Sequence, residues 1–221
     1  MAFNIAIDGP AGAGKSTIAK RVSGELGFVY VDTGAMYRAI GLYCVMNNID
    51  ISDESAVVGE LENIDVDLKY IDGVQCVLLN GENVNGLIRT EEVSRAASVV
   101  SGYAPVRTYL VSKQQQIAKN TDLLMDGRDI GTVVLPEAPL KIYLTASSEE
   151  RGKRRYLQLR EKGEECDLAE IIKDIEERDY RDMHRENSPL KQADDAVLID
   201  SSFMTIDEVV AEILRLVEER R

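Results

Sequence analysis

Residues 3–17, with the sequence FNIAIDGPAGAGKST, decide how this chain folds. The apolar, partly β-branched run at residues 3–7 predicts a short buried strand, and the Asp-Gly-Pro that follows is typical of a turn. Apolar residues then recur at helical spacing from Lys15 onward, as far as Gly27, which lies where a left-handed residue would close a helix. The first predicted elements are therefore a strand, a glycine-rich loop and a helix.

The loop between that strand and that helix fits the pattern G-x-x-x-x-G-K-[ST]. Glycines let backbone N–H groups turn inward around a phosphate, and the start of the helix adds its dipole. In such a loop Lys15 would reach the β- and γ-phosphates, and Ser16 would bind Mg²⁺. The motif predicts a binding site for a nucleoside triphosphate, formed by Gly9, Pro10, Ala11, Gly12, Ala13, Gly14, Lys15, Ser16 and Thr17.

An antiparallel segment is predicted near the middle of the chain. Between residues 66 and 78, apolar and polar residues alternate in two short runs, which is typical of strands with one buried face. Two helices are predicted after it, at residues 90–101 and 105–120. We therefore interpret residues 61–104 as an inserted subdomain that contains a small antiparallel sheet. Its turns are predicted at Asp72-Gly73 and Asn80-Gly81.

The rest of the chain alternates strands and helices, as a parallel α/β sheet requires. One strand, at residues 28–31, precedes the insertion and three strands follow it. We predict an α/β fold: a P-loop kinase-type parallel sheet of about five strands flanked by helices, with the antiparallel subdomain and a short lid. The core would comprise residues 1–60 and 105–221, including the lid at about 148–166. The later strands are predicted at residues 123–126, 140–146 and 196–200, and the last helix at 205–221.

Composition excludes several classes of protein. The chain has 221 residues, 44% hydrophobic and 29% charged, without an apolar run long enough to cross a bilayer, so disorder and membrane spans are excluded. The net charge of −13 argues against broad binding to nucleic acid polymers or anionic membranes. We expect a cytoplasmic monomer, because the first residues lack a signal-peptide core and three scattered cysteines favour neither disulfides nor a metal site.

Two charged clusters follow predicted parallel strands, at the edge where ligands of open α/β sheets bind. One is DGRD at residues 126–129, which includes Arg128 and Asp129. The other is DTGAMYR at residues 32–38, where Asp32 or Thr33 is expected to cap a helix but a cap does not explain Arg38. Because the carboxyl ends of parallel strands meet at one edge, both clusters are predicted on the rim that bears the phosphate loop.

Two further groups of charges lie in the last third of the chain. In the helix predicted at residues 167–187, an apolar stripe continues as Arg178, Asp182 and Arg185. Since charges are almost never buried unpaired, this half of the helix would line a polar ligand cavity, an ion-pair cluster or a surface salt-bridge ladder. The second group is either solvated helix surface or a lid over the phosphates, and its members are Arg151, Lys153, Arg154 and Arg155.

Three classes of P-loop protein compete: a nucleotide-switch GTPase, a motor or transporter ATPase, and a small-molecule kinase. The sequence lacks the Asn-Lys-x-Asp motif that reads guanine and the Leu-Ser-Gly-Gly-Gln motif of transporter ATPases. A kinase needs a second anion site that holds the acceptor in line with the γ-phosphate, and the arginines outside the loop would supply it. These features favour a kinase.

The ordered motifs closely resemble those of bacterial cytidylate kinases, over nearly the whole chain. The resemblance rests on residues 7–10 (IDGP), 32–38 (DTGAMYR), 126–132 (DGRDIGT) and 177–182 (ERDYRD). It implies that ATP and CMP or dCMP are converted to ADP and CDP or dCDP, with Mg²⁺. UMP or shikimate as acceptor is the alternative, and a GTPase or ATPase is less favoured.

The resemblance also implies how the acceptor is bound, with residues 61–104 as the subdomain that binds the nucleoside monophosphate. Arg38 and Arg128 would hold its phosphate, and Arg178 and Asp182 would contact its sugar. The substrates would be small molecules, with no polymer or membrane partner. Around cytosine would lie Thr33, Ser98, Arg107, Asp129 and Arg185.

For catalysis, the resemblance implies charge neutralisation rather than a covalent step. A monophosphate oxygen is already a competent nucleophile, so no strong general base is needed. Mg²⁺ on Ser16 would act together with cationic side chains. These are Lys15, Arg38, Arg128 and one or more of the lid arginines Arg151, Arg154 and Arg155, of which Arg154 is our candidate catalytic residue.

Overall fold

The computed structural model describes residues 2–71 and 74–221, so the turn predicted at Asp72-Gly73 lies outside the described residues. Its strands are β1 (Asn4–Asp8), β2 (Val29–Asp32), β3 (Val66–Ile71), β4 (Val74–Leu79), β5 (Glu82–Asn83), β6 (Leu123–Gly127), β7 (Leu140–Thr145) and β8 (Val197–Asp200). Its α-helices are α1 (Lys15–Leu26), α2 (Thr33–Met46), α3 (Glu54–Gly59), α4 (Glu91–Val100), α5 (Ala104–Ala118), α6 (Ser148–Glu161), α7 (Leu168–His184) and α8 (Ile206–Arg220).

Local signals account for most element ends. Gly27 closes α1 in the left-handed region, with φ 68°, as its position in the sequence predicts. The Asp32 side chain caps α2 by accepting a hydrogen bond from the Ala35 amide at 2.9 Å. The pattern does not predict α3 or the π-helical turn Ile130–Val134, because both are too short to show a helical period.

The chain forms two compact units. The core unit comprises Phe3–Phe28 and Asp122–Arg221, and the central unit comprises Val29–Thr121. The predicted insertion at residues 61–104 lies within the central unit, and its boundaries remain a prediction.

The parallel sheet has five strands in the described part of the chain. Four of them belong to the core unit, in the order β6-β1-β7-β8. In the register of the central pair, Ile7 lies opposite Asp126 and Asp8 opposite Gly127. The loops that follow β1 and β6 therefore start side by side, at the carboxyl edge of the sheet.

The central unit contains the antiparallel sheet β3-β4-β5. Its core lies between α2, α4, α5 and the strands, and includes the fully buried Met36, Ile40, Ile88 and Leu110. A parallel sheet flanked by helices, with a separate small antiparallel sheet, confirms the predicted fold class. None of the helices in residues 2–71 and 74–221 combines the length and the apolar character needed to cross a membrane.

Replacing Gly41 by alanine is expected to destabilise the central unit by about 1–3 kcal/mol. A Cβ at Gly41 of α2 would lie 2.8 Å from the backbone nitrogen of Ala97 and 3.1 Å from the Val93 carbonyl oxygen, both in α4. The matched control is Gly24→Ala in α1, which meets nothing within 4 Å and should gain up to about 1 kcal/mol of helix propensity. Urea unfolding followed by circular dichroism compares the two. Equal stability would show that α2 and α4 do not need glycine at their contact.

Candidate active site

The loop predicted to bind phosphate lies between β1 and α1 and depends on its glycines. Gly9, Gly12 and Gly14 have φ angles of 149°, 76° and 89°, which side chains rarely allow. A Cβ at Gly9 would lie 1.9 Å from the carbonyl oxygen of Leu144 in β7. The loop can therefore approach the sheet only because residue 9 has no side chain.

Lys15, the first residue of α1, is buried with 6% exposure. Its Nζ donates hydrogen bonds to the carbonyl oxygens of Gly9 and Pro10, both at 2.7 Å. Burial and the positive charge of Arg128 lower the pKa of Lys15 to about 7, although three carboxylates act in the opposite direction. These carboxylates belong to Asp126, Asp8 and Asp182.

Ser16, the predicted Mg²⁺ ligand, has an acidic partner. Its Oγ donates to Oδ2 of Asp126 at 3.0 Å. Asp126 belongs to the DGRD motif but has no predicted role, and the available signal is its place near the end of a strand next to β1. Among residues 2–71 and 74–221, no three histidine, cysteine or carboxylate side chains group as a metal site.

Arg128, which follows β6, forms an ion pair with Asp182 of α7. Arg128 Nε lies 2.8 Å from Asp182 Oδ2, and the two side chains are 21% and 13% exposed. Burial alone would raise the pKa of Asp182, but Arg128, with smaller contributions from Arg178 and Arg185, holds this pKa below its usual range. The structure thus brings three predicted site residues of the core unit, Arg128, Arg178 and Asp182, into one cluster.

Asp129 and Arg185 extend this cluster, with 3.9 Å between Asp129 Oδ1 and Arg185 Nη2. The predicted helix at 167–187 is too long, because α7 ends at His184 and Arg185 has an extended backbone. Arg185 Nε donates to the carbonyl oxygen of Ser188 at 2.7 Å, and Ser188 has a positive φ of 49°, so the chain turns here. Arg185 therefore belongs to the turn after α7 and not to the helical stripe.

In the central unit, Arg38 is held by Asp32. Arg38 Nη2 lies 3.1 Å from Asp32 Oδ2, and Arg89 approaches the same oxygen at 3.7 Å. Gln75 of β4 accepts a hydrogen bond from the Asp32 backbone amide at 2.8 Å. Sequence analysis missed Arg89 and Gln75, because no local pattern connects them to α2.

The other predicted site residues of the central unit are buried or half-buried. Thr33 is buried in the first turn of α2, and Ser98 is half-buried on α4. Arg107 is buried on α5, where Nη1 donates to the Ser101 carbonyl oxygen at 3.1 Å. Its guanidinium carbon lies 5.5 Å from the centroid of the Tyr37 ring, which is within the range of a cation–π interaction. Tyr37 directly precedes Arg38 in the sequence.

In the predicted lid, Arg151 of α6 is buried and connects three elements. It donates to the carbonyl oxygen of Ala146 at 2.8 Å and to that of Ala11, in the phosphate loop, at 2.9 Å. Its Nη2 lies 2.6 Å from Asp179 Oδ2 of α7. Arg151 therefore connects the backbone of the phosphate loop to Asp179 of α7.

Arg154, the lid residue predicted to be catalytic, forms hydrogen bonds with other residues of the core unit. It donates to the carbonyl oxygen of Ser201 at 2.7 Å and to Glu150 at 3.2 Å. Lys153 and Arg155 on the same helix are exposed. The catalytic role of Arg154 stays a prediction.

A glycine-rich loop with a buried lysine, at the carboxyl end of a parallel strand, defines the class of this protein as a P-loop protein with a kinase-type core. The sequence model of the family described as “Cytidylate kinase” matches residues 5–219. The chain therefore belongs to the cytidylate kinase family and is a kinase.

Curated relatives match the chain at nearly full length. A “Cytidylate kinase” of Caldicellulosiruptor bescii is 52% identical over 97% of this chain and 95% of the relative. Another “Cytidylate kinase”, from Lactobacillus johnsonii, is 49% identical over 99% of this chain and 95% of the relative. A solved structure of an uncharacterized protein from Eubacterium ventriosum, with 10% identity and 98% of both chains covered, has a TM-score of 0.52 and shows the fold alone.

Replacing Asp182 by asparagine should lower the free energy of unfolding at pH 7 by about 3 kcal/mol, because Arg128 keeps its charge but loses its partner. Since the pKa of Asp182 is lowered in the folded state, its carboxylate stabilises the wild-type fold at pH values above the unfolded-state pKa, and this stabilisation is lost as pH falls through the folded-state pKa. Denaturant unfolding of wild type and variant between pH 3 and 7 measures the difference in stability and its dependence on pH.

The control is Asp207→Asn, which removes an exposed partner of Arg21 and should cost less than about 1 kcal/mol. Equal losses in the two variants would contradict a special role of the buried pair.

Proposed function

We propose that the chain transfers the γ-phosphoryl group of ATP to CMP and dCMP, giving ADP and CDP or dCDP, with Mg²⁺ as the metal ion. The proposal is supported by family membership and by the charges of the core unit, and it includes small-molecule substrates and a monomeric state.

One observation carries the proposal: the segments that bear Lys15 and Arg128 leave the paired strands β1 and β6 side by side, and the charge of Arg128 acts on Lys15. Two cationic side chains with low solvent exposure lie near each other only where negative charges compensate them. Carboxylates compensate them within the protein, and the phosphate groups of the donor and the acceptor would do so during turnover. A switch GTPase or an ATPase needs no second anion site of this kind.

The metal ion would be held by Ser16, with Asp126 as its acidic partner. A hydroxyl and a carboxylate oxygen fit the preference of Mg²⁺ for oxygen ligands. When bound, Mg²⁺ would neutralise charge on the transferred phosphoryl group. Lys15 would exchange its two carbonyl partners for phosphate oxygens.

The acceptor would be held by arginine and carboxylate pairs. In the core unit, Arg128 would bind the monophosphate, while Asp182 and Arg178 would bind the sugar. The buried carboxylate of Asp129 and the half-buried guanidinium of Arg185 offer both acceptors and donors, as reading the edge of a pyrimidine requires. We extend the same proposal to the central unit, with Arg38 toward the phosphate and Thr33, Ser98 and Arg107 toward cytosine.

Substrate specificity is tested with a coupled assay of ADP release. Wild-type protein with ATP and Mg²⁺ should turn over rapidly with CMP and dCMP, more slowly with UMP, and negligibly with shikimate or without acceptor, and EDTA should abolish turnover. Activity with shikimate alone would refute the assignment. Fast ADP release without acceptor would instead support the GTPase or ATPase classes.

The role of Arg128 is tested by Arg128→Lys, which keeps the charge but cannot grip a phosphate with two parallel hydrogen bonds. We expect kcat/KM for CMP to fall by roughly 100-fold. Arg215→Lys is the matched control, since Arg215 is an exposed arginine of α8 that also pairs with carboxylates. Assays run well below the melting temperature of both variants. Near-normal kcat/KM for Arg128→Lys would make this arginine structural.

A further inference from the structure

Asp8, the last residue of β1, has a buried side chain to which the reaction above assigns no role. One carboxylate oxygen accepts a hydrogen bond from the Ile130 amide at 2.8 Å, and the other accepts from the Gly131 amide at 2.7 Å. These two amides begin the π-helical turn that directly follows Arg128 and Asp129. A side chain adjacent to the phosphate loop therefore holds the backbone adjacent to the acceptor arginine.

Burying this carboxylate is unfavourable, and the surroundings offset the cost only in part. Burial raises the pKa of Asp8 to about 6, even though the Gly131 and Ile130 amides act to lower it. The negative charge of Asp129 adds to the rise, and the positive charge of Lys15 opposes it. An apolar side chain would fill the same space without this penalty, but it could not bind two backbone amides.

Gly131 packs beside the carboxylate without crowding it. A Cβ at this residue would lie 3.4 Å from Asp8 Oδ2, an ordinary packing distance, and 3.2 Å from Cδ of Lys141, which is closer than ordinary packing. The contact between Asp8 and this turn therefore depends on the backbone amides, and it joins residues that are 123 positions apart in the sequence.

We propose that Asp8 is a positioning residue: it fixes the backbone that carries Arg128 and Asp129 at a set distance from the phosphate loop. The inference rests on the proposed function, because it takes Arg128 to bind the acceptor phosphate. Phosphoryl transfer requires the acceptor oxygen to lie in line with the γ-phosphate, and a shift of about 1 Å can cost two orders of magnitude in rate. A direct connection between the two binding segments limits such shifts.

The principal test is Asp8→Asn, which keeps the shape of the side chain. A carboxamide has one oxygen, so it can accept from only one of the two amides and presents an NH₂ group to the other. We expect kcat with CMP to fall by about 10- to 100-fold at a temperature where the variant is folded, while KM for ATP changes little. Amide hydrogen exchange at Ile130 and Gly131, measured by NMR without nucleotide, should become faster.

A second variant and a matched control complete the experiment. Asp8→Ala removes both acceptor oxygens, so it should also lower kcat and speed exchange at the same two residues. Asp122→Asn is the control, because Asp122 Oδ1 also accepts a backbone hydrogen bond, from the Phe3 amide at 2.7 Å, but at the opposite end of the strand. It should leave kcat unchanged.

The outcomes separate this inference from the proposed function. Faster exchange at Ile130 and Gly131 with unchanged kcat would overturn the positioning role, as would a lower kcat with unchanged exchange. A loss of melting temperature in Asp8→Asn with wild-type kinetics below it would also overturn the role, since Asp8 would then contribute stability alone. Wild-type protein that does not phosphorylate CMP would instead refute the proposed function, while the exchange data would still report on the two hydrogen bonds.

Discussion

The buried ammonium group of Lys15 is the constraint on which the core unit depends. An amine at 6% exposure next to the Arg128 guanidinium stays charged only if carboxylates surround it, and the ends of three different elements supply them. Asp8 comes from β1, Asp126 from β6 and Asp182 from α7. The parallel register of β1 and β6 brings the first two together, and the pair between Arg128 and Asp182 brings α7 to the same edge. Fold and electrostatics are therefore specified by the same few contacts.

The distribution of charge also explains how an acidic protein can bind anions. With a net charge of −13, the chain as a whole repels phosphate. In the core unit, several arginines of the cluster face carboxylates, so their positive charge is concentrated and oriented before any ligand arrives. Such pairs cost little reorganisation on binding, because the guanidinium groups are already held in place.

Features that depend on residues close together in the sequence could be predicted, and contacts between residues far apart in the sequence could not. The glycine that closes α1 and the aspartate that caps α2 follow from neighbouring residues, and the strands of the sheet follow from short apolar runs. Within the site, the phosphate loop could be predicted because one contiguous motif contains it. The partnership of Ser16 with Asp126 could not, because 110 residues separate them and either residue alone fits a surface position. Periodicity extends the predicted helix over Arg185, because it cannot detect that the helix ends at His184 and that Arg185 has an extended backbone.

The contacts of Arg151 have a consequence for engineering this scaffold. Exchanging α6 alone between related chains would treat this helix as an independent module. Here one guanidinium of α6 touches the backbone of the phosphate loop at Ala11 and the carboxylate of Asp179 on the following helix. A chimaera that imports α6 without a matching acid on α7 would bury an uncompensated cation behind the loop. The transferable unit is therefore the pair of helices together with the loop they support.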